Sequence, residues 1–102
     1  QREIDLSRAL KDFHKANGEA QQIELALSSL REQRDSLVNQ PVSAAVQERY
    51  ARLENDLRST EEKALKARVE VAGKRKSVAD RETQVAKLRL KVFESQNRLA
   101  TR

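Results

Sequence analysis

From Leu6 to Leu37 apolar residues return at alternating steps of three and four. Leu6, Phe13, Ala20, Leu27 and Arg34 share one heptad position, a, while Arg2, Ala9, Ala16, Ile23, Leu30 and Leu37 share the other, d. A repeat of 3.5 residues keeps one narrow stripe turned toward a partner helix, which is the coiled-coil period. A second stripe opens after residue 43. Tyr50, Leu57, Ala64, Val71, Val78, Val85, Val92 and Leu99 fall on a, every one apolar or aromatic. Val46, Leu53, Thr60, Ala67, Lys74, Arg81, Leu88 and Ser95 fall on d, which is weaker through its middle.

The two stripes do not join in phase. Leu37 and Val46 are successive d positions nine residues apart, two more than one heptad, and Val38-Asn39-Gln40-Pro41-Val42-Ser43 lies between them. Pro41 lacks an N–H and disfavours helical geometry at Gln40. Asn39 suits a helix end or turn, and Ser43 suits an N-cap. The pattern predicts an all-α fold, an antiparallel two-helix coiled-coil hairpin filling residues 1–102 as a single unit. Helix 1 is expected over about 2–38, the turn over about 39–43 and a longer helix 2 over about 44–100. At 1.5 Å per residue the helices would be about 55 Å and about 87 Å long.

Folding the chain at Gln40-Pro41 gives an expected register. Leu37 would meet Val46, Leu30 would meet Leu53, and Ala16 would meet Ala67, with Leu27 on Leu57 and Ala20 on Ala64 in the intervening layers. Small residues would then form a waist at Ala16, Ala20, Ala64 and Ala67, and Arg34 would stack on Tyr50. Beside the seam, Arg31–Glu54 and Glu19–Lys63 would attract, whereas Glu24–Glu61, Asp12–Glu70 and Glu3–Glu82 would repel. Lys74 and Arg81 sit on the seam and would weaken its open end. In this register helix 1 runs out opposite Arg81. Val85, Leu88, Val92 and Leu99 continue the seam with nothing facing them, and Leu90 and Phe93 add apolar surface beside it.

An uncovered apolar stripe calls for a cover. Because the chain opens on Gln1, it is expected to be a piece of something longer, and helix 1 continued upstream is the favoured cover. The alternative is docking of Val85, Leu88, Val92, Phe93 and Leu99 on another protein, with self-association through residues 82–100 as one form of it.

Composition narrows the chemistry. With 36% charged residues, three aromatics and no Trp, little material exists for a globular core. No cysteine is present, so neither disulfides nor thiolate metal sites arise. No apolar run is long enough to span a bilayer. His14, the one histidine, lies on an outer heptad position with no ligand or triad companion. The Glu61-Glu62 and Glu54/Asp56 carboxylates belong to a charged helix face, and no cleft is predicted to hold them for acid–base work. Gly18 and Gly73 are single and form no phosphate loop. The sequence therefore reads as non-enzymatic, with no catalytic, cofactor or metal residues expected.

The net charge of +5 is uneven: six basic and seven acidic residues lie up to Val38, fifteen and nine from Val42 onward. Lys74-Arg75-Lys76, with Lys63, Lys66 and Arg68 upstream, is the densest basic stretch; a solvated helix face is its plainest reading, and as a binding patch it would suit an acidic protein surface or a phosphate backbone. Nucleic acid is the lesser expectation, because aromatic stacking platforms are missing.

The Ser43 turn is followed by Val46, Leu53 and Thr60 on one heptad position, with Tyr50, Leu53-Glu54 and Val71 in order along helix 2. From Ser43 to Ser95 this resembles the stalk-type coiled-coil proteins of bacterial flagellar and type III secretion export machines. The resemblance implies a cytoplasmic structural protein in secretion and transport, with the export ATPase and its chaperones as partners. The run Leu37-Val38-Asn39-Gln40-Pro41-Val42-Ser43 is also similar to the hairpin tip of periplasmic adaptor (membrane fusion) proteins. That resemblance implies a periplasmic location and end-on docking to an outer-membrane channel through Arg34, Leu37 and Ser43. A scaffold coiled coil without a secretion role is the third expectation.

Overall fold

The computed structural model describes residues 2–100, and of Arg2 the backbone alone. Two helices, α1 (Arg2–Val38) and α2 (Ala44–Ala100), fold back on each other as an antiparallel hairpin, with α2 the longer. The molecule is a rod of 88 × 19 × 14 Å. Each end of the connection has a local cause. Gln40 N donates to Leu37 O at 3.1 Å, closing the end of α1 in a tight turn. Pro41 has no N–H to extend the helix further. Ser43 then caps α2: its Oγ accepts from Val46 N at 3.2 Å, and its carbonyl accepts from Gln47 N at 3.0 Å. This is an N-cap serine with its hydroxyl on the third helical amide. Among the described residues no backbone φ is positive, so Asn39 turns the chain without a left-handed conformation. Glu3 and Asp5 in the first turn of α1 face the positive end of its dipole.

Every buried side chain lies on the heptad seams. Ala9, Ala16, Leu27 and Leu37 are buried on α1, and Leu57, Ala64, Val71, Val78 and Val85 on α2. Leu27, Leu57 and Ala64 form the core cluster, with Ile23 and Leu30 packed against it. No polar or charged residue is buried among those described. A two-helix core is narrow, so most seam residues are only half covered. Leu27 alone among large side chains is fully enclosed.

The register differs from the sequence expectation. Glu24 pairs with Arg68, Arg31 with Glu61 at 3.9 Å, and Glu3 with Arg89 at 3.4 Å. The partner of each is one heptad further along α2 than expected. In this arrangement position a of one helix faces d of the other. The expected layers set a against a and d against d. The observed offset brings Leu30 level with Leu57, Ile23 with Ala64, Ala16 with Val71 and Ala9 with Val78. Two leucines meet near the turn, larger residues oppose alanines in the other three layers, and the all-alanine waist reduces to Ala20 beside Ala67. The Arg34–Tyr50 stack is absent: Arg34 Nη1 lies 3.8 Å from Glu54 and its Nε 3.3 Å from Asp35. The cation–π contact is instead Arg75 over Phe13, at 5.8 Å. The electrostatic gain is clear, since the expected Glu24–Glu61 and Glu3–Glu82 repulsions become two attractions.

The seam charges are accommodated. Lys74 and Arg81 are half-buried and line one groove with Asp5 and Asp12 of α1. Long basic side chains can lay an aliphatic stem along an apolar seam while the charged head stays in water. α1 is helical from Arg2 onward.

Candidate functional site

The offset register moves the start of the uncovered arm. Val85 is only 6% exposed, because the beginning of α1 reaches its level, so it belongs to the hairpin core and not to the exposed surface expected of it. Beyond it the seam opens: Leu88 is 46% exposed, Val92 50% and Leu99 71%. These three lie on one face of α2. Phe93 and Leu90 are also exposed, but successive helix residues are turned by about 100°, which places Phe93 on a different face from Val92. The arm is thus apolar on more than one side. Lys87 and Lys91 are exposed between these residues, and Arg89 reaches back to Glu3.

The turn is arranged otherwise. Leu37 is buried against α2 and so is not the free docking side chain that the adaptor resemblance implied. Arg34 is held between Asp35 and Glu54. Ser43 has its hydroxyl committed to the α2 cap. The apolar surface at the tip is supplied by Val38 and Val42, both exposed. The sequence does carry a signal for them: Val38 directly follows the last seam residue of α1, and Val42 lies inside the break.

Lys74, Arg75 and Lys76 point in three directions, as neighbours on a helix must. Lys74 is half-buried on the seam, Arg75 lies over Phe13, and Lys76 is on the outer surface. The triplet is therefore not one patch. Leu25, Leu65 and Val69 are exposed apolar residues that attention to the a and d positions alone had passed over. Their signal is their heptad place, on the outward rows where charge is ordinarily found.

Among the described residues no group of three or more His, Asp or Glu is placed to hold a metal ion. No helix there is long and apolar enough to cross a membrane. Comparisons with protein-family models, with curated proteins and with solved structures return no match to this chain.

Proposed function

We propose that this chain is a non-catalytic coiled-coil assembly module whose arm beyond Val85 binds a helix of another protein. The observation that carries this is the seam itself. Its a/d spacing continues through Leu88, Val92 and Leu99, past the point where α1 covers it. A helix laid there would find the same layers that α1 finds between Leu57 and Val85. Such helix-in-groove recognition is read through anchors at helical spacing.

The more specific reading is a stalk-type part of a bacterial secretion export apparatus, cytoplasmic, with the export ATPase and its chaperones as partners. Its support is the resemblance running from Ser43 to Ser95. The exposed Val38 and Val42 favour a second reading, a periplasmic adaptor hairpin whose tip meets an outer-membrane channel. Under that reading docking passes from Arg34, Leu37 and Ser43 to those two valines.

A binding titration separates the two. The labelled chain is mixed with a purified export ATPase and, separately, with a purified outer-membrane channel. The Val92→Asp/Leu99→Asp pair is expected to weaken ATPase binding by at least about tenfold, the equivalent of about 1.4 kcal/mol. The Val38→Asp/Val42→Asp pair is expected to leave it unchanged. Channel binding that is lost with the tip pair would transfer the assignment to the adaptor reading. Binding to neither protein would remove the secretion role.

A further inference from the structure

α2 carries a second heptad pattern on its outer side. Leu65, Ala72, Ala79, Ala86, Phe93 and Ala100 occupy position b, and Val69, Lys76, Thr83, Leu90 and Asn97 occupy position f. Their steps alternate four and three, as in the inner seam. On α1 the b row reads Ser7, His14, Gln21, Ser28 and Asp35, all polar, and the f row carries only two apolar residues, Ile4 and Leu25, three heptads apart. The b/f row of α2 lies about 150° around the helix from the seam that packs on α1. It is exposed along its whole length, including the large Leu65, Val69, Leu90 and Phe93. Thr83 Oγ1 donates to Ala79 O at 3.0 Å, so its hydroxyl is satisfied within the helix and needs no outside partner.

We propose that this face is a second coiled-coil seam and that its occupant is the same face of a second copy of the chain, parallel and in register. The charges flanking the row point to that partner. In a parallel pair each residue of the e row meets the c-row residue five positions further along the partner. Glu61 then meets Lys66, Arg75 meets Asp80, Glu82 meets Lys87, and Arg89 meets Glu94, each contact occurring twice by symmetry. Among these flanking pairs no like charges meet; the one like-charge contact of the arrangement is Lys76 with its own copy, inside the seam. Antiparallel registers that cover the row from Leu65 to Ala100 fare worse. One sets Arg68 against Arg89; the next sets Arg75 against Arg89 and Glu82 against its own copy.

The e row also flanks the inner seam, so the two interfaces share charges. Glu61 already pairs with Arg31, and Arg89 with Glu3. The dimer would extend these into Arg31–Glu61–Lys66 and Glu3–Arg89–Glu94 chains across three helices. The alanine layers let the two α2 helices approach closely, and the α1 helices remain on the outside. Lys76 sits in the seam opposite its own copy. A polar residue at such a position specifies register and strand number at a cost in stability; Thr83 and Asn97 are further polar members of the row, and the acidic Asp80 stands one turn from Lys76.

This face is distinct from the Leu88–Val92–Leu99 face of the arm, so the two proposals fail independently. The chain has no cysteine, which makes cross-linking unambiguous. Sedimentation equilibrium of the full chain is expected to show a dimer. Ala79→Cys and Ala86→Cys are each expected to oxidise to covalent dimers, and Ser28→Cys on the outer row of α1 is not. Glu82→Lys is expected to weaken the dimer about tenfold, and Glu82→Lys/Lys87→Glu to restore it, because the contact lies between chains. Val92→Asp/Leu99→Asp is expected to leave the dimer intact. The proposal is overturned by a monomer at every concentration, by Ala79→Cys cross-linking no faster than Ser28→Cys, or by a double reversal that fails to restore association.

Discussion

At the scale of single residues, stability is concentrated where two stripes overlap most fully. Leu27 is 1% exposed and touches both Leu57 and Ala64, whereas Leu30 and Leu53 are half-buried. Fully burying a leucine contributes about 1.5–3 kcal/mol by transfer alone, and truncating one inside a core costs more because a cavity remains. Leu27→Ala is therefore expected to cost about 3–4 kcal/mol, and Leu53→Ala about 1–2 kcal/mol, since solvent relaxes into the space left at a half-covered site. Urea unfolding at one fixed protein concentration measures both, because any self-association adds to apparent stability. Equal losses at the two positions would contradict the observed offset. From the a/d pattern alone Leu30 and Leu53 had faced each other and carried this role together.

At the scale of the helices, the phase break at Pro41 and the seam positions were legible in the sequence, because the 3.5-residue period survives whatever partner covers it. The register was not legible from the apolar layers. Leu, Val and Ala fill a narrow two-helix core about equally well at either offset, so size does not discriminate. The charges do discriminate once a is set opposite d, for then Glu3, Glu24 and Arg31 all find opposite partners. That choice tests directly. Glu24→Arg would face Arg68, and both positions are substantially exposed, so the expected loss is below about 1 kcal/mol. Adding Arg68→Glu should recover it, and raised salt should shrink both effects. If Glu24→Arg instead raised stability, and neutralising Glu61 removed that gain, residue 24 would face Glu61 and the helices would lie in the other register. The same offset explains why the arm was only partly legible: the exposure of Leu88, Val92 and Leu99 follows from any hairpin, but whether Val85 joins them depends on half a heptad.

At the scale of the whole molecule, the hairpin is a rod with one end doubled and the other single. From the turn to the level of Val85 the two inner seams cover each other, apart from the exposed Tyr50, while residues 86–100 continue as one helix whose stripes face solvent. An isolated helix of about 12–15 residues is marginal in water, since tertiary packing supplies most helical stability. The arm escapes the nucleation cost by growing from a formed helix, yet beyond Val85 its seam residues Leu88, Val92 and Leu99 are not covered by α1. Amide hydrogen exchange on dilute protein should therefore show protection highest around Leu57 to Val78 and falling steadily from Val85 toward Ala100. Raising the concentration should slow exchange in the arm and along the Leu65–Ala100 row together, because pairing of outer faces would clamp both. A helix bound only to Leu88, Val92 and Leu99 would protect the arm and leave residues 65–79 unchanged. An arm that exchanges as slowly as the Leu57–Val78 segment in dilute solution would be stable by its own propensity. Its open stripes would then offer no folding energy to a partner, and the case for an unfilled binding site would rest on apolar exposure alone.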